Sequence, residues 1–284
     1  MQELNPLQRC LAVMNGEIPD CLPVVPQSFM LAAETAGIKV GELTHNPDKM
    51  VEAHLMCLEK FNYDGIVIDF DDATIAEACG ARVIFREDEP AIVDEQQPLL
   101  KDLRDVESME LPDPAKDGRL ATWLEATRKL VEKVGDHVFI MGRADQGPFT
   151  LATLLRGAQQ FMMDLVMEDP ELVKKVIDYA RHAGTIFARA MKDTGAHATS
   201  IGDAYAGPNL ISPEMFRMFA LQPEIEMTRD VQAHGIPFSI HICGDTTGIL
   251  PDLASTGARI LEIDWQVDLA YARQIIPPET VIMG

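Results

Sequence analysis

The feature that most constrains the fold is a regular alternation of short apolar runs with longer segments of helical periodicity. Apolar runs predict strands at 23–27, 65–70, 137–144, 198–205, 238–243 and 259–265, and the final VIMG resembles the start of another strand. Apolar residues at helical spacing predict helices over 47–61, 118–134, 169–195 and 212–235, the last interrupted near Pro223. Strict alternation of strand and helix favours a parallel sheet, because crossover helices join parallel strands.

The number of these units favours a barrel. About seven strand–helix units in 284 residues suit a (β/α)8 TIM barrel better than an open doubly wound sheet. No Gly-rich G-x-G-x-x-G or P-loop sequence follows a predicted strand, which weakens a nucleotide-binding sheet. We therefore expect an α/β barrel that lacks its last strand and helix in this chain. A single domain over 1–284 is predicted, with an N-terminal helical extension at 1–20 and an excursion at 81–98.

Charge and cysteine usage exclude several classes of partner. The formal net charge is −21, which opposes binding to nucleic acid or to an anionic membrane surface. No apolar run approaches the roughly 18 residues of a membrane helix. The five cysteines are odd in number and form no C-x-x-C pair: Cys10, Cys21, Cys57, Cys79 and Cys243. This pattern indicates a reducing cytoplasm rather than a disulfide framework.

The stretch SIHICGDTTG contains the residues most typical of a metal site. His241 and Cys243 are two positions apart at the end of a predicted strand, so their side chains point to the same side. Their Cα atoms are expected to lie about 6.6 Å apart. An imidazole with a thiolate favours zinc. The alternative is a buried free cysteine with no metal role.

Carboxylates follow several of the predicted strands. Asp71 and Asp72 are adjacent, so only one can point into the barrel mouth, and Asp203 and Asp264 follow later strands. Each is either a site residue or the cap of the next helix. For Asp245 we expect the capping role.

Five blocks in fixed order resemble the uroporphyrinogen decarboxylase superfamily and, within it, the corrinoid-dependent methyltransferases such as the methylcobamide:coenzyme M methyltransferases. The blocks lie at 72–90, 147–157 (GPFTLATLLRG), 202–222, 241–250 and 262–273. The resemblance implies a (β/α)8 barrel, in agreement with the alternation.

In that branch a His-x-Cys pair binds zinc with a later cysteine. His241 and Cys243 match the first two ligands, and the third is expected beyond Gly284. The resemblance implies a methyl group moving between a corrinoid on a separate protein and a small thiol, tetrahydrofolate or another methyl-donor substrate. It implies Asp71 and Asp203 as catalytic or positioning residues. The substrate-binding residues it implies are Gln146, Phe149, Tyr205 and Asp264.

Two alternatives remain open at this level. A metal-free tetrapyrrole decarboxylase would share Asp71 with this chain, but such enzymes use an arginine pair in an early loop, and here no arginine lies between Arg9 and Arg82. The tyrosine that such enzymes use corresponds to Leu154. The other alternative is a barrel that binds a corrinoid protein without catalysing a reaction.

Overall fold

The computed structural model describes residues 3–69 and 71–284. Within those residues the strands are β1 (Gly65–Ile68), β2 (Val83–Ile84), β3 (Ile92–Val93), β4 (Phe139–Arg143), β5 (Ala198–Gly202), β6 (Phe238–His241), β7 (Ile260–Glu262) and β8 (Val281–Met283). Six of these form one parallel sheet in the order β1-β4-β5-β6-β7-β8, and β2 pairs antiparallel with β3. Sheet order follows chain order throughout, as in a barrel, and the strands form part of one. The predicted α/β fold, an incomplete barrel, is confirmed.

Helices connect these strands. They are α1 (Pro6–Met14), α2 (Phe29–Ala36), α3 (Val40–Leu43), α4 (Pro47–Phe61), α5 (Thr74–Ala78), α6 (Leu120–Val134), α7 (Pro148–Arg156), α8 (Ala158–Met167), α9 (Pro170–Ala190), α10 (Pro213–Met215), α11 (Leu221–Ala233), α12 (Leu250–Ser255) and α13 (Leu269–Ile275). Short 3₁₀ turns accompany them at 103–108, 191–194, 204–206 and 247–249. None of the helices in the described ranges combines the length and the apolar character needed to cross a bilayer.

Helix boundaries follow from capping chemistry. Asp169 accepts a hydrogen bond from the Glu171 backbone N–H at 3.0 Å, and Pro170 occupies the first turn of α9. The interruption predicted near Pro223 is a π-helical segment, Phe216–Ala220, which ends before that proline. Asp245 accepts from the Thr247 N–H at 3.1 Å, one position before Thr246, the N-cap of the turn at 247–249, so its predicted capping role stays a prediction.

The first predicted strand was wrong. Residues 23–27 form no strand; they lie next to the start of β1, where the Val24 carbonyl accepts from the Asp64 N–H at 2.7 Å. Pro23 and Pro26 lack the N–H groups that a ladder needs. The other strands are shorter than predicted, and Phe70, in the predicted 65–70 strand, lies outside the described residues.

The amino-terminal ends of the strands are covered by α1. The Leu7 N–H donates to the His137 carbonyl at 2.9 Å, and Arg9 pairs with Asp64 at 3.0 Å. Cys10 and Met14 pack against strand residues in a small core cluster. A groove of 710 Å³ lies between residues 22–27 and β8, and Cys10 and Met14 of α1 also line it. The single-domain boundaries stay a prediction.

Sheet register brings the sequence motifs to one end. Gly202 lies opposite His241, and His241 lies opposite Glu262. These residues are at the carboxyl ends of β5, β6 and β7, the end at which barrel enzymes hold their substrates.

Candidate active site

A cavity of 730 Å³ opens at the carboxyl ends of the strands. One wall is formed by the strand ends, and the β2–β3 hairpin covers the other side. The strand ends and the loops after them contribute Asp69, Asp72, Arg143, Asp145, Gln146, Tyr205, His241 and Cys243, and the hairpin contributes Ile84, Arg86, Ile92, Asp94 and Glu95. Polar side chains therefore converge on a partly open cavity large enough for a small molecule.

His241 and Cys243 meet in this cavity. His241 Nε2 lies 3.2 Å from Cys243 Sγ, and Nδ1 lies 3.2 Å from the Glu262 backbone carbonyl. When Nδ1 carries the proton and donates it to that carbonyl, the lone pair of Nε2 points toward Cys243. Hydrogen bonds of this kind orient metal-binding histidines. Two ligands at tetrahedral zinc distances stand about 3.6 Å apart, so this donor pair fits the metal. The structure brings the two residues together, and zinc binding stays a prediction.

The turn after Cys243 is held by Asp264. Asp264 Oδ2 accepts from the Gly244 N–H at 2.8 Å, and Gly244 has a φ of 89° that only glycine adopts without strain. A side chain at this position would also meet the Asn209 amide at 2.5 Å. Asp264, predicted to bind substrate, is not among the described residues that line the cavity; it fixes the loop that carries Cys243.

Three aspartates form an acid cluster in the cavity. Carboxylate oxygens of Asp69, Asp72 and Asp145 lie within 4.8 Å of one another. The buried guanidinium of Arg143 contacts two of them, with Nε 3.2 Å from Asp69 Oδ2 and 3.4 Å from Asp145 Oδ1. It also lies 3.8 Å from Glu262, whose oxygens accept from Ser239 and Gln27. One cation therefore faces several carboxyl groups.

Burial and the closeness of like charges shift the pKa values of this cluster. The charge of Asp145, a hydrogen bond to Asp145 and burial raise the pKa of Asp72 to about 9. Burial, followed by the charge of Asp145, raises the pKa of Asp69 well above its usual range. Burial also works to raise the pKa of Asp145, but Arg143, Asp72 and two backbone N–H groups lower it overall. The pair therefore shares protons unequally, with Asp72 holding a proton more tightly than a free aspartate and Asp145 less tightly.

Gln146 is both strained and unsatisfied. Its φ is 59°, in the left-handed region that non-glycine residues rarely occupy. The side chain is 1% exposed, and neither amide atom has a hydrogen-bond partner among the described residues. It lines the cavity together with the acid cluster and Tyr205. A buried amide without partners is costly, which marks this position as one built for a ligand.

Asp71 lies outside the cavity lining. Its carboxylate receives two hydrogen bonds from Arg119, at 2.6 and 3.1 Å, and accepts from the Ala73 N–H at 3.0 Å. Arg119 also pairs with Glu77 at 2.6 Å. Both partners of the Asp71–Arg119 pair are buried. The structure places Asp71 in a buried ion pair with Arg119, and its catalytic role stays a prediction.

Asp203 and Phe149 support the wall behind the cavity. Asp203 accepts from the backbone N–H groups of Phe149 and Thr150, at 3.3 and 2.6 Å, at the start of α7. Burial raises the pKa of Asp203 to about 6, although these N–H groups and Thr150 work against the rise. Phe149 is fully buried and packs edge-on against Phe161 at 5.4 Å. Neither Asp203 nor Phe149 lines the cavity among the described residues.

The acid cluster was missed by sequence reasoning. The signal was present in two strings, DFDD at 69–72 and ADQ at 144–146, each placed directly after a strand. Period-two alternation pairs Asp69 with Asp71, but β1 ends at Ile68, so alternation does not continue through the loop. The cavity receives Asp69 and Asp72 instead.

These features define an α/β-barrel-type enzyme with its reactive groups at the carboxyl ends of the strands. The family model of uroporphyrinogen decarboxylase (URO-D) matches residues 5–284, and the chain belongs to this family. The methylcobamide:CoM methyltransferase MtaA of Methanosarcina barkeri is 26% identical over all of this chain and 83% of its own length. A solved methyltransferase from Methanosarcina mazei superposes with a TM-score of 0.89 at 28% identity, over 99% of this chain and 83% of that one.

A relative from the other branch matches to a similar extent. The uroporphyrinogen decarboxylase of a Synechocystis strain is 26% identical over all of this chain and 83% of its own length. The resemblance predicted from sequence, and with it the expectation of an enzyme of the methyltransferase type, is confirmed by the methyltransferase matches.

Proposed function

We propose that the protein transfers a methyl group between a corrinoid carried by a separate protein and a small molecule, with zinc bound by His241 and Cys243. The observation that supports this most directly is the 3.2 Å approach of His241 Nε2 to Cys243 Sγ inside the cavity. The methylcobamide:CoM methyltransferases among the relatives support the methyl group and the corrinoid.

The chain's own residues have separate roles in this proposal. When bound, zinc would hold a substrate thiol as thiolate or polarise a leaving group. The Glu262 carbonyl orients the imidazole, and Asp264 fixes the turn that carries the sulfur. Gln146 and Tyr205 face the substrate, and the hairpin shields it from water. Asp71 and Asp203 support the walls of the cavity.

The charge of the cavity opposes the decarboxylase alternative. A porphyrinogen carries several carboxylates and needs cationic partners. The described lining contains two arginines, Arg86 and Arg143, against five acidic residues: Asp69, Asp72, Asp94, Glu95 and Asp145. We therefore keep methyl transfer as the proposed function.

Metal analysis tests the proposal. Purified wild-type protein and the Cys243→Ala variant are compared for zinc content, with Cys21→Ala, also an exposed cysteine, as the matched control. We expect Cys243→Ala to retain less than about a tenth of the bound zinc, because a metal site loses most of its affinity when one of its ligands is removed. Equal zinc in both variants would contradict the proposal.

Activity is measured on the same samples. Methylcobalamin is offered with a set of small thiols, and Co(I) corrinoid is offered with methyl donors. Methyl transfer that Cys243→Ala loses and Cys21→Ala keeps supports the proposal. Decarboxylation of uroporphyrinogen in the presence of a chelator supports the alternative, and binding of a corrinoid protein without any transfer indicates a non-catalytic barrel.

A further inference from the structure

The cavity beside His241 and Cys243 has more carboxyl groups than positive charges to balance them. Of its two lining arginines, Arg143 is buried against the acid cluster and Glu262, and Arg86 pairs with Glu89 on the hairpin. Burial and the neighbouring carboxylates raise the pKa values of Asp69 and Asp72, so these carboxyl groups hold protons more tightly than usual. A ligand that brings its own positive charge can replace those protons.

Gln146 gives independent evidence that a ligand belongs here. Its amide is buried and lacks hydrogen-bond partners, and its backbone is held at a φ of 59°. Such a conformation persists only where the surroundings impose it. Gln146 lines the same cavity as the acid cluster, and its buried amide oxygen is an acceptor without a hydrogen-bond partner among the described residues.

We infer that the acid cluster and Gln146 bind the ammonium group of a small amine, and that the molecule entering this cavity is a cation. A primary or secondary ammonium has two or three N–H donors, which match carboxylate and amide oxygens. Quaternary ammonium groups are recognised by aromatic cages instead, and acceptor oxygens surround this site. A divalent metal requires oxygens at about 2.0–2.6 Å, but Arg143 already contacts two of the three carboxylates.

Binding of an ammonium group does not depend on the proposed function. Only the further step, that this amine is the methyl donor or acceptor, rests on methyl transfer at His241 and Cys243. The inference separates this chain from a coenzyme M transferase, since coenzyme M ends in a sulfonate anion that the acid cluster would repel.

Three thiols of equal length differ in the charge of the end opposite the sulfur. They are 2-aminoethanethiol, 2-mercaptoethanol and 2-mercaptoethanesulfonate, whose ends are cationic, neutral and anionic. Binding to the protein as purified is measured by calorimetry at neutral pH, with and without added zinc. We expect 2-aminoethanethiol to bind about tenfold tighter than 2-mercaptoethanol, and the sulfonate to bind most weakly. Equal affinities, or tightest binding of the sulfonate, would overturn the inference.

Variants assign the preference to the cluster. Asp72→Asn and Gln146→Leu should each reduce the ratio of ammonium to hydroxyl affinity several-fold. Asp193→Asn, an exposed carboxylate before the amino end of β5, should keep the ratio. The ratio cancels differences in thiol acidity and in metal loading, and thermal unfolding confirms that each variant is folded. Tight binding of Mg²⁺ alone that Asp72→Asn abolishes would show a metal site and overturn the inference.

The outcomes distinguish the two proposals. An ammonium preference without methyl transfer to any thiol or from any donor leaves the inference standing and removes the proposed function. Methyl transfer whose rate does not depend on the terminal charge, without an ammonium preference in binding, supports the proposed function and removes the inference.

Discussion

At the residue scale, the buried ion pair of Asp71 predicts a large contribution of this carboxylate to stability. It is buried, with hydrogen bonds from Arg119 at 2.6 and 3.1 Å, and Arg119 in turn contacts Glu77 and the Phe85 ring. Removal of one partner from a buried ion pair leaves the other charge without compensation. We expect Asp71→Ala to lower the free energy of unfolding by about 3–5 kcal/mol, measured by urea denaturation.

A surface pair provides the control for this substitution. Asp48 contacts Lys129 at 2.8 Å, but its side chain is 78% exposed. Asp48→Ala should cost less than about 1 kcal/mol, because water screens exposed pairs. Zinc content should be unchanged in both variants. An Asp71→Ala protein of normal stability that has lost methyl transfer would restore the catalytic role predicted from sequence.

At the scale of single elements, α4 contains a titratable group on its buried face. His54 is fully buried, and burial lowers its pKa to about 3. Below a pH of about 6.5, the unfolded chain therefore binds a proton at His54, whereas the folded chain does not. Stability should fall as the pH is lowered from about 6.5 toward 3. At pH 5, protonation of His54 in the unfolded chain should lower the free energy of unfolding by about 2 kcal/mol.

The variant His54→Gln tests this dependence. A neutral amide cannot take up the proton, so the difference in unfolding free energy between pH 7 and pH 5 should shrink by about 2 kcal/mol. His234→Gln, at an exposed position at the end of α11, is the matched control and should leave the pH dependence as in wild type. An unchanged pH profile in His54→Gln would show that His54 is not excluded from protonation.

At the scale of the whole molecule, what could be predicted depends on how local the controlling interaction is. Strand alternation is a local pattern, so the sheet order and the meeting of His241 with Cys243 followed from sequence. The loop after β1 is different. Arg119 lies 48 positions from Asp71 and determines that this carboxylate faces away from the cavity. The acid cluster likewise joins β1 and β4 loops that only the folded sheet brings together. The extended 23–27 segment was mispredicted because its prolines remove ladder donors.

The β2–β3 hairpin packs between α3 and the cavity, and Gly41 determines how closely the hairpin approaches α3. The Gly41 N–H donates to the Glu87 carbonyl at 2.9 Å, and a Cβ on Gly41 would lie 2.3 Å from the Arg86 carbonyl oxygen. That contact is with backbone, so the hairpin must shift to relieve it. We expect Gly41→Ala to expose the hairpin to trypsin at Arg86 and to weaken small-molecule binding several-fold.

The core should be unaffected by this shift, because the hairpin contributes few buried groups. Urea unfolding of Gly41→Ala should therefore change by about 1–2 kcal/mol at most, and zinc content should be that of wild type. Gly37→Ala is the control: its Cβ meets open space, but its φ of 66° costs backbone strain. It should lose stability without faster cleavage at Arg86. Equal cleavage of both variants would mean that general instability exposes the β2–β3 hairpin. Close packing at Gly41 would then not be what holds the hairpin over the cavity.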